Sequence, residues 1–393
     1  MAVAAGLAMS ISLAQGAIVA LAIVLLLTRG DRPFAFPLAA PVLGFAAWTV
    51  VAAAASARPQ ESLVSAHTVV WLGVLYVVLN ALDGAPAVRR FATLLFALMV
   101  FVAAVAVVQV VLCPPVPPAL PILKKVFRKC DRAHGFYSIY MTLGGVLAMV
   151  LVAAVPRLAH RGLPLRWGLP AWLLGVCALG LTYTRGAWAG FAAGAIAMLA
   201  ITRRRAIVVG ALGVVVLTMI AVPAVRDRLV DRVRGIVKME DNTLLDRLAM
   251  VTGALRIARD HPWTGVGPGQ VKHVYPAYAP PEALRRETSH VHNAPLQILA
   301  ERGAIGLALW IALFVAFFVR TASIYRRLAA GEDRALVGGV LGAVAAFLIA
   351  GLFEDNFGDS EVLMMACALM ALPFALARGH SARGSVAART RTK

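Results

Sequence analysis

The sequence predicts an all-α integral membrane protein, a polytopic bundle of about 11–12 transmembrane helices with one large helical loop outside the bilayer. Three observations carry that prediction. Of 393 residues, 61% are hydrophobic and only 15% charged, with a mean hydropathy of +0.81. A soluble domain carries about 25% charged and about half apolar residues, so both figures are displaced towards burial in lipid. The apolar residues also fall in runs near the length a spanning helix needs, about 20 residues. Finally, the period-2 alternation of a transmembrane barrel is absent. A cytosolic enzyme, a secreted disulfide scaffold and a disordered chain are excluded, because so much apolar surface must be covered.

In chain order the spans are placed at 7–28, 34–56, 64–82, 90–112, 135–156, 168–183, 186–202, 206–224, 304–320, 335–353 and 360–378. Their Ala, Val, Leu and Gly richness suits helices packed closely in lipid. Orientation follows from arginine in the short loops, since cytoplasmic loops carry the basic excess. Lys and Arg total 38 against 19 acidic residues, a net +19, and in a membrane chain this charge points to lipid rather than nucleic acid as the partner. Alternate loops hold Arg29/Arg32, Arg89/Arg90, Arg157/Arg161/Arg166, Arg203/Arg204/Arg205 and Arg320/Arg326/Arg327/Arg334, and a basic tail follows. The opposite, outer side receives 57–63, 113–134, the turn near Arg185, the stretch 225–303 and the loop 354–359. An odd number of spans with an inner C-terminus puts Met1 outside, so either 1–28 is a hairpin or an upstream helix is missing. The chain divides into an N-terminal bundle (1–224), an outer loop domain (225–303), C-terminal spans (304–378) and a tail (379–393).

Of four cysteines, Cys177 and Cys367 fall inside spans, while Cys113 and Cys130 bracket a Pro-rich outer segment. An oxidising compartment would permit a disulfide there, and spacing alone leaves the point open. No Cys/His cluster has zinc-ligand spacing and no Asp-x-Asp pair holds a metal-bound nucleotide sugar, so neither metal nor cofactor is implied.

The outer stretch 225–303 is the least apolar. It opens with an amphipathic segment, 225–238, suited to the membrane surface. A helix from about Thr243 to Asp260 follows, capped by Asp241 or Asn242, with Arg247 in its first turns and His261-Pro262 at its end. The loop beyond it contains Gly265, Gly267 and Gly269, where backbone can approach a ligand closely. It lacks the Lys-Ser/Thr ending of a nucleotide-binding loop. His290, His292 and Asn293 come next. Asn293 caps a helix, Pro295 sits in its first turn and Gly303 interrupts it. His292 thus stands just ahead of a helix N-terminus, which favours the neutral imidazole that a general base requires; a capping or packing histidine is the plainer alternative.

Arg185, in TYTRGAWAG, lies at a membrane boundary with no carboxylate nearby in sequence. At depth such a guanidinium marks a functional site, and at the surface it snorkels beside Tyr183 and Trp188. Arg132 is a third outer arginine. Because the guanidinium fork matches phosphate oxygens, Arg185, Arg247 and Arg132 are candidates to converge on a diphosphate. The cluster Glu354, Asp355, Asp359 and Glu361 reads first as a solvated turn, with one carboxylate orienting His292 or an arginine as the alternative.

His292-Asn293, nine residues, Gly303, two residues and Gly306 together resemble the signature of the O-antigen ligase and polymerase superfamily of bacterial envelope enzymes. TYTRGAWAG is similar to that family's Ser/Thr-Arg-Gly-Ala motif. DRLAM followed by ARDHPWTGVGPGQ is similar to its Arg-bearing helix and His-Pro-x-x-Gly-x-Gly loop. The resemblance runs from about 130 to 310 and implies a glycosyltransferase with the fold of the lipid-linked-donor kind, in the inner membrane with its site facing the periplasm. It implies undecaprenyl-diphosphate-linked O-antigen as donor and a sugar hydroxyl of lipid A-core as acceptor, joined by metal-independent, inverting transfer. His292 would be the base and Arg185 and Arg247 the diphosphate holders, with Arg132, His290, Asn293, His261, Gly265, Gly267, Glu354 and Asp355 as further substrate-binding candidates. One dominant outer loop favours a ligase over a polymerase or a protein O-oligosaccharyltransferase. A transporter of a lipid-linked sugar would show repeated halves, and none is found.

Overall fold

Inside a bilayer backbone polar groups find no water, so an apolar run must satisfy them within its own segment. The computed structural model does this with helices. It describes residues 1–28, 33–114, 126–127, 130–160, 162–201, 209–210, 213, 217 and 242–391, among which there is no strand. Apart from four residues, the span expected at 206–224 lies outside this set, as does the surface segment 225–238. Seven described helices are long and apolar enough to cross a membrane, and Ala39–Ala54 and Leu165–Leu181 are shorter apolar ones.

The chain begins with α1 (Ala2–Met9) and α2 (Ile11–Thr28). A Cβ placed on Gly6 would fall 2.5 Å from the Ala14 Cα, whereas residues eight apart in a continuous helix are separated by about 12 Å. The chain therefore doubles back at Ser10, whose backbone is extended, which is the hairpin alternative for 1–28. Next come α3 (Ala39–Ala54), α4 (Pro59–Ser65), a 3₁₀ segment (Ala66–Gly73), α5 (Val74–Ala81) and α6 (Gly84–Val111). Cys113 and Cys130 form a disulfide just beyond α6. The next three helices are α7 (Tyr140–Ala159), α8 (Leu165–Leu181) and α9 (Arg185–Ile201). Then come α10 (Asn242–Asp260) and α11 (Val271–Tyr278), followed by α12 (Ala294–Arg327), α13 (Glu332–Ala350) and α14 (Ser360–Arg391).

One seam positions the site. Gly186, Gly190 and Gly194 recur every fourth residue along one face of α9. Their missing side chains admit Phe353 and Ala350, then Ala346, then Gly342 of the α13 chain. The order runs backwards along α13, so the two helices are antiparallel with backbones in near contact, as small residues permit. Gly339 of α13 meets the Ala153 carbonyl of α7 in the same manner. The start of α9 is thereby held against the end of α13, which brings Arg185 beside the loop that follows Ala350.

The opposite end of the bundle carries Arg89 and Arg157 of the short loops. Arg157, 3% exposed, donates to Glu332 at 2.9 Å and to Thr93 at 2.8 Å. Arg89 clasps Asp333 with two bonds of 2.7 and 2.9 Å. Glu332 and Asp333 open α13, where carboxylates also complement the helix dipole.

At the site end, residues 242–303 build a smaller apolar cluster of their own, with Met250, Ala254, Ile257, Val271, Tyr275 and Ala300 buried together. The main core runs through the bundle separately.

Replacing Gly190 or Gly194 by Leu should drive α9 off α13 and lower stability by at least about 1–3 kcal/mol. Gly16→Leu, where no atom lies within 4 Å, should leave the melting temperature in detergent nearly unchanged.

Candidate active site

Three chain segments deliver the side chains. The first is the turn before α9. Thr182 closes α8 by donating to the Leu179 carbonyl at 2.7 Å, and Tyr183 takes a left-handed backbone (φ 51°), a conformation uncommon outside glycine. The chain then enters α9 with Arg185 as its first helical residue and no acidic residue in the first turn. A guanidinium and a helix N-terminus, both positive, therefore occupy one place.

The second segment is the start of α12. Asn293 accepts from the Leu296 N–H at 2.9 Å, the helix cap expected of it. Its amide donates to the Leu352 carbonyl at 3.0 Å, and the Ala294 N–H donates to the Gly351 carbonyl at 2.7 Å. These bonds tie the residues after His292 to the end of α13. Gly303 has φ 67° and ψ −173° and breaks α12 where the span begins. A side chain there would collide with the Trp263 carbonyl, so only glycine fits.

The third segment, 351–359, departs from the solvated turn expected of it. Glu354 is 7% and Asn356 5% exposed. Phe357 packs edge-on against Phe45 and Trp310, drawing the loop into the bundle. Asp359 accepts from Thr142 at 2.6 Å and from the Glu361 and Val362 N–H groups, capping α14. Once packed, the carboxylates need partners, and Glu354 has two. Its Oε1 accepts from Arg247 Nη2 at 2.6 Å, and its Oε2 lies 2.8 Å from His292 Nδ1. Gly186 abuts Glu354 and Phe353 from the α9 side. Arg247 and His292, far apart in sequence, thus meet on one carboxylate, and the backbone that follows Arg185 packs beside it.

His290 packs edge-on against His292 with ring centroids 4.8 Å apart. Burial, then the neighbouring His292, lowers its affinity for a proton. Arg132 lies over the Tyr140 ring at 4.3 Å, next to Ala133, whose N–H donates to the Leu181 carbonyl; it makes no contact with Glu354. His261 is exposed at the end of α10. The close backbone approach read into Gly265 and Gly267 is made to the protein itself. Gly265 lies against the Ala300–Arg302 backbone, and Gly267 against Ser56 and Ser62. Their missing side chains thus serve docking of the loop onto α12 and α4.

A second polar cluster escaped the sequence reading. Glu301 and Arg302, each 5% exposed, pair at 2.8 Å. Glu301 also accepts from the Gly269 N–H and from Gln297, each at 2.7 Å. Arg302 donates to Thr49 at 3.2 Å, and its carbonyl accepts from Trp48 at 2.8 Å. The pair fastens the glycine loop and α3 to α12. Adjacent opposite charges within the apolar run ILAERGAIG were the available signal, since buried charge demands a partner. Asp355 lies in the field of this pair. Burial and then the Glu301 charge push its carboxyl up from 3.8 to about 7. Among the described residues, no group of three or more His, Cys, Asp or Glu side chains is arranged to hold a metal ion.

Fold and site together define a polytopic helical membrane protein with a histidine–carboxylate–arginine centre at one end of the bundle. Residues 170–311, the stretch holding Arg185, Arg247 and His292, match the family model described as O-Antigen ligase. The match is consistent with an O-antigen-ligase-like protein and supports a general ligase- or polymerase-type, glycosyltransferase-like activity. The chain is also similar to one in a solved structure titled "Structural coordination of polymerization and crosslinking by a peptidoglycan synthase complex". That likeness has 15% identity and a TM-score of 0.46 over 88% of this chain and 98% of that one, too distant to bear on chemistry. Among curated proteins none matches.

A carboxyl that binds its proton more tightly when folded makes stability fall as pH rises between its two values. Thermal unfolding in detergent should therefore show stability declining from about pH 4 to about pH 7. Asp355→Asn, which keeps the oxygen that accepts from the Gly358 N–H, should flatten that decline.

Proposed function

We propose that the chain is an O-antigen ligase of a bacterial inner membrane. It transfers O-antigen polysaccharide from undecaprenyl diphosphate to a sugar hydroxyl of lipid A-core on the periplasmic face. The observation that carries this reading is Glu354 held between Arg247 and His292.

A carboxylate at Nδ1 selects the tautomer that donates there and leaves the Nε2 lone pair free to accept. His292 Nε2 removes the acceptor hydroxyl proton as the oxygen bonds to the anomeric carbon of the donor. On the opposite face, the bond from that carbon to the diphosphate oxygen breaks, and its electron pair leaves with the diphosphate. The configuration inverts. Arg185, Arg247 and the N-terminus of α9 offset the charge that develops, which is the larger part of the catalytic task. Because diphosphate leaves readily, the protonating acid of a glycosidase is not required. Glu354 then balances the imidazolium. His290 and Arg132 contact the glycan, and Asn293 holds the start of α12 in register. Transfer needs no metal or cofactor in this scheme.

The test mixes purified protein, carrier-linked glycan and acceptor lipid in detergent with a chelator present. His292→Ala should lower transfer on the order of 10²–10⁴-fold. Arg185→Lys and Arg247→Lys should rescue poorly, because a point charge cannot reproduce the bidentate fork. Full activity of the lysine variants removes the diphosphate holders, and carrier movement without bond formation makes the protein a transporter. In cells, loss of the gene should leave core lipopolysaccharide without O-chains; a core bearing one repeat unit assigns a polymerase instead.

A further inference from the structure

We infer that Glu354 is a shared counter-ion that makes the base respond to the donor: a diphosphate that draws Arg247 away leaves the whole carboxylate charge to His292. This rests on His292 and Arg247 having the roles given above.

Glu354 uses each oxygen once, Oε1 for Arg247 and Oε2 for His292. Its side chain is only 9% exposed, against 24% for Arg247 and 25% for His292. Water therefore reaches the two partners more readily than the anion between them. Arg247 has four further N–H donors on its fork with which to meet phosphate oxygens. When the phosphate oxygens also draw the guanidinium off Oε1, the buried carboxylate cannot replace the arginine with solvent, and the imidazole becomes its remaining partner. The other charged groups around His292 do not take that place. His290 packs edge-on against it from the same segment, and Asp355 follows Glu354 but lies in the field of Glu301 and Arg302. Asp246 on α10 faces Arg285 at 3.8 Å, and Arg185 enters from α9 with the same sign as Arg247. A filled site thus leaves the carboxylate to the imidazole, which then takes and holds the acceptor's proton. Glu354 is on this account a positioning residue acting through His292.

The test follows the His292 titration by NMR of histidine-labelled full-length protein in detergent, assigned by loss of the signal in His292→Gln. Inorganic pyrophosphate is the probe, with its binding measured separately by calorimetry. Saturating pyrophosphate should move the titration up by about one unit, as a bare carboxylate at hydrogen-bond distance does. Arg247→Ala should show that shift without pyrophosphate, and Arg247→Lys, which keeps the ion pair, should not. Glu354→Gln should bind pyrophosphate with no shift. Pyrophosphate bound while His292 titrates unmoved overturns the coupling and leaves the diphosphate reading standing. An unmoved titration in Arg247→Ala overturns the coupling as well. No pyrophosphate binding removes both the coupling and the diphosphate site.

Discussion

A buried carboxylate is stable only with hydrogen-bonded, oppositely charged partners, and the described site is arranged around meeting that demand for Glu354. Its partners come from α10 and from the segment before α12, and the turn into α9 packs beside it. Removing either partner would strand a charge, so the geometry of the site and the docking of residues 242–303 onto the bundle stabilise one another. The same interaction that seats the outer helices also orients the imidazole. A rearrangement of α10 relative to α13 would be felt at once by His292.

Beneath this centre lie two devices that hold the segments in register without side chains of their own. The glycine face of α9 sets its first residue against the last turn of α13. The left-handed glycines of the loop after α10 let it lie on the backbone of Ala300–Arg302, beside the Glu301–Arg302 pair. Gly303 then redirects the chain into the membrane. The polar cluster below the site therefore carries position, while the cluster around Glu354 carries the chemistry proposed for it.

Much of this was legible in the residue order because it depends on local rules. Ten of the eleven expected apolar runs are helical among the described residues, seven of them long and apolar enough to cross a membrane; Asn293, Pro295 and Gly303 marked a helix start and its break, and His261-Pro262 marked the end of α10. The family motifs named Arg247 and His292, which the structure places on one carboxylate. What stayed hidden depends on contacts distant in sequence. Glu354 lies 62 residues beyond His292 in a short acidic loop that looks like any solvated turn. Only the packing of Phe357 against Phe45 and Trp310 turns it inward. Gly265 and Gly267 lie against the protein's own chain, and a glycine reserved for close approach does not say in sequence whether a ligand or the chain itself will approach.

The α9–α13 seam constrains motion. Where backbone rests on backbone there are no rotamers to absorb a tilt, and this pair travels as a rigid beam. Any opening that admits a long lipid sideways falls to elements with looser anchorage. The plainest of these is α2, in which only Ala14 and Ile18 are buried.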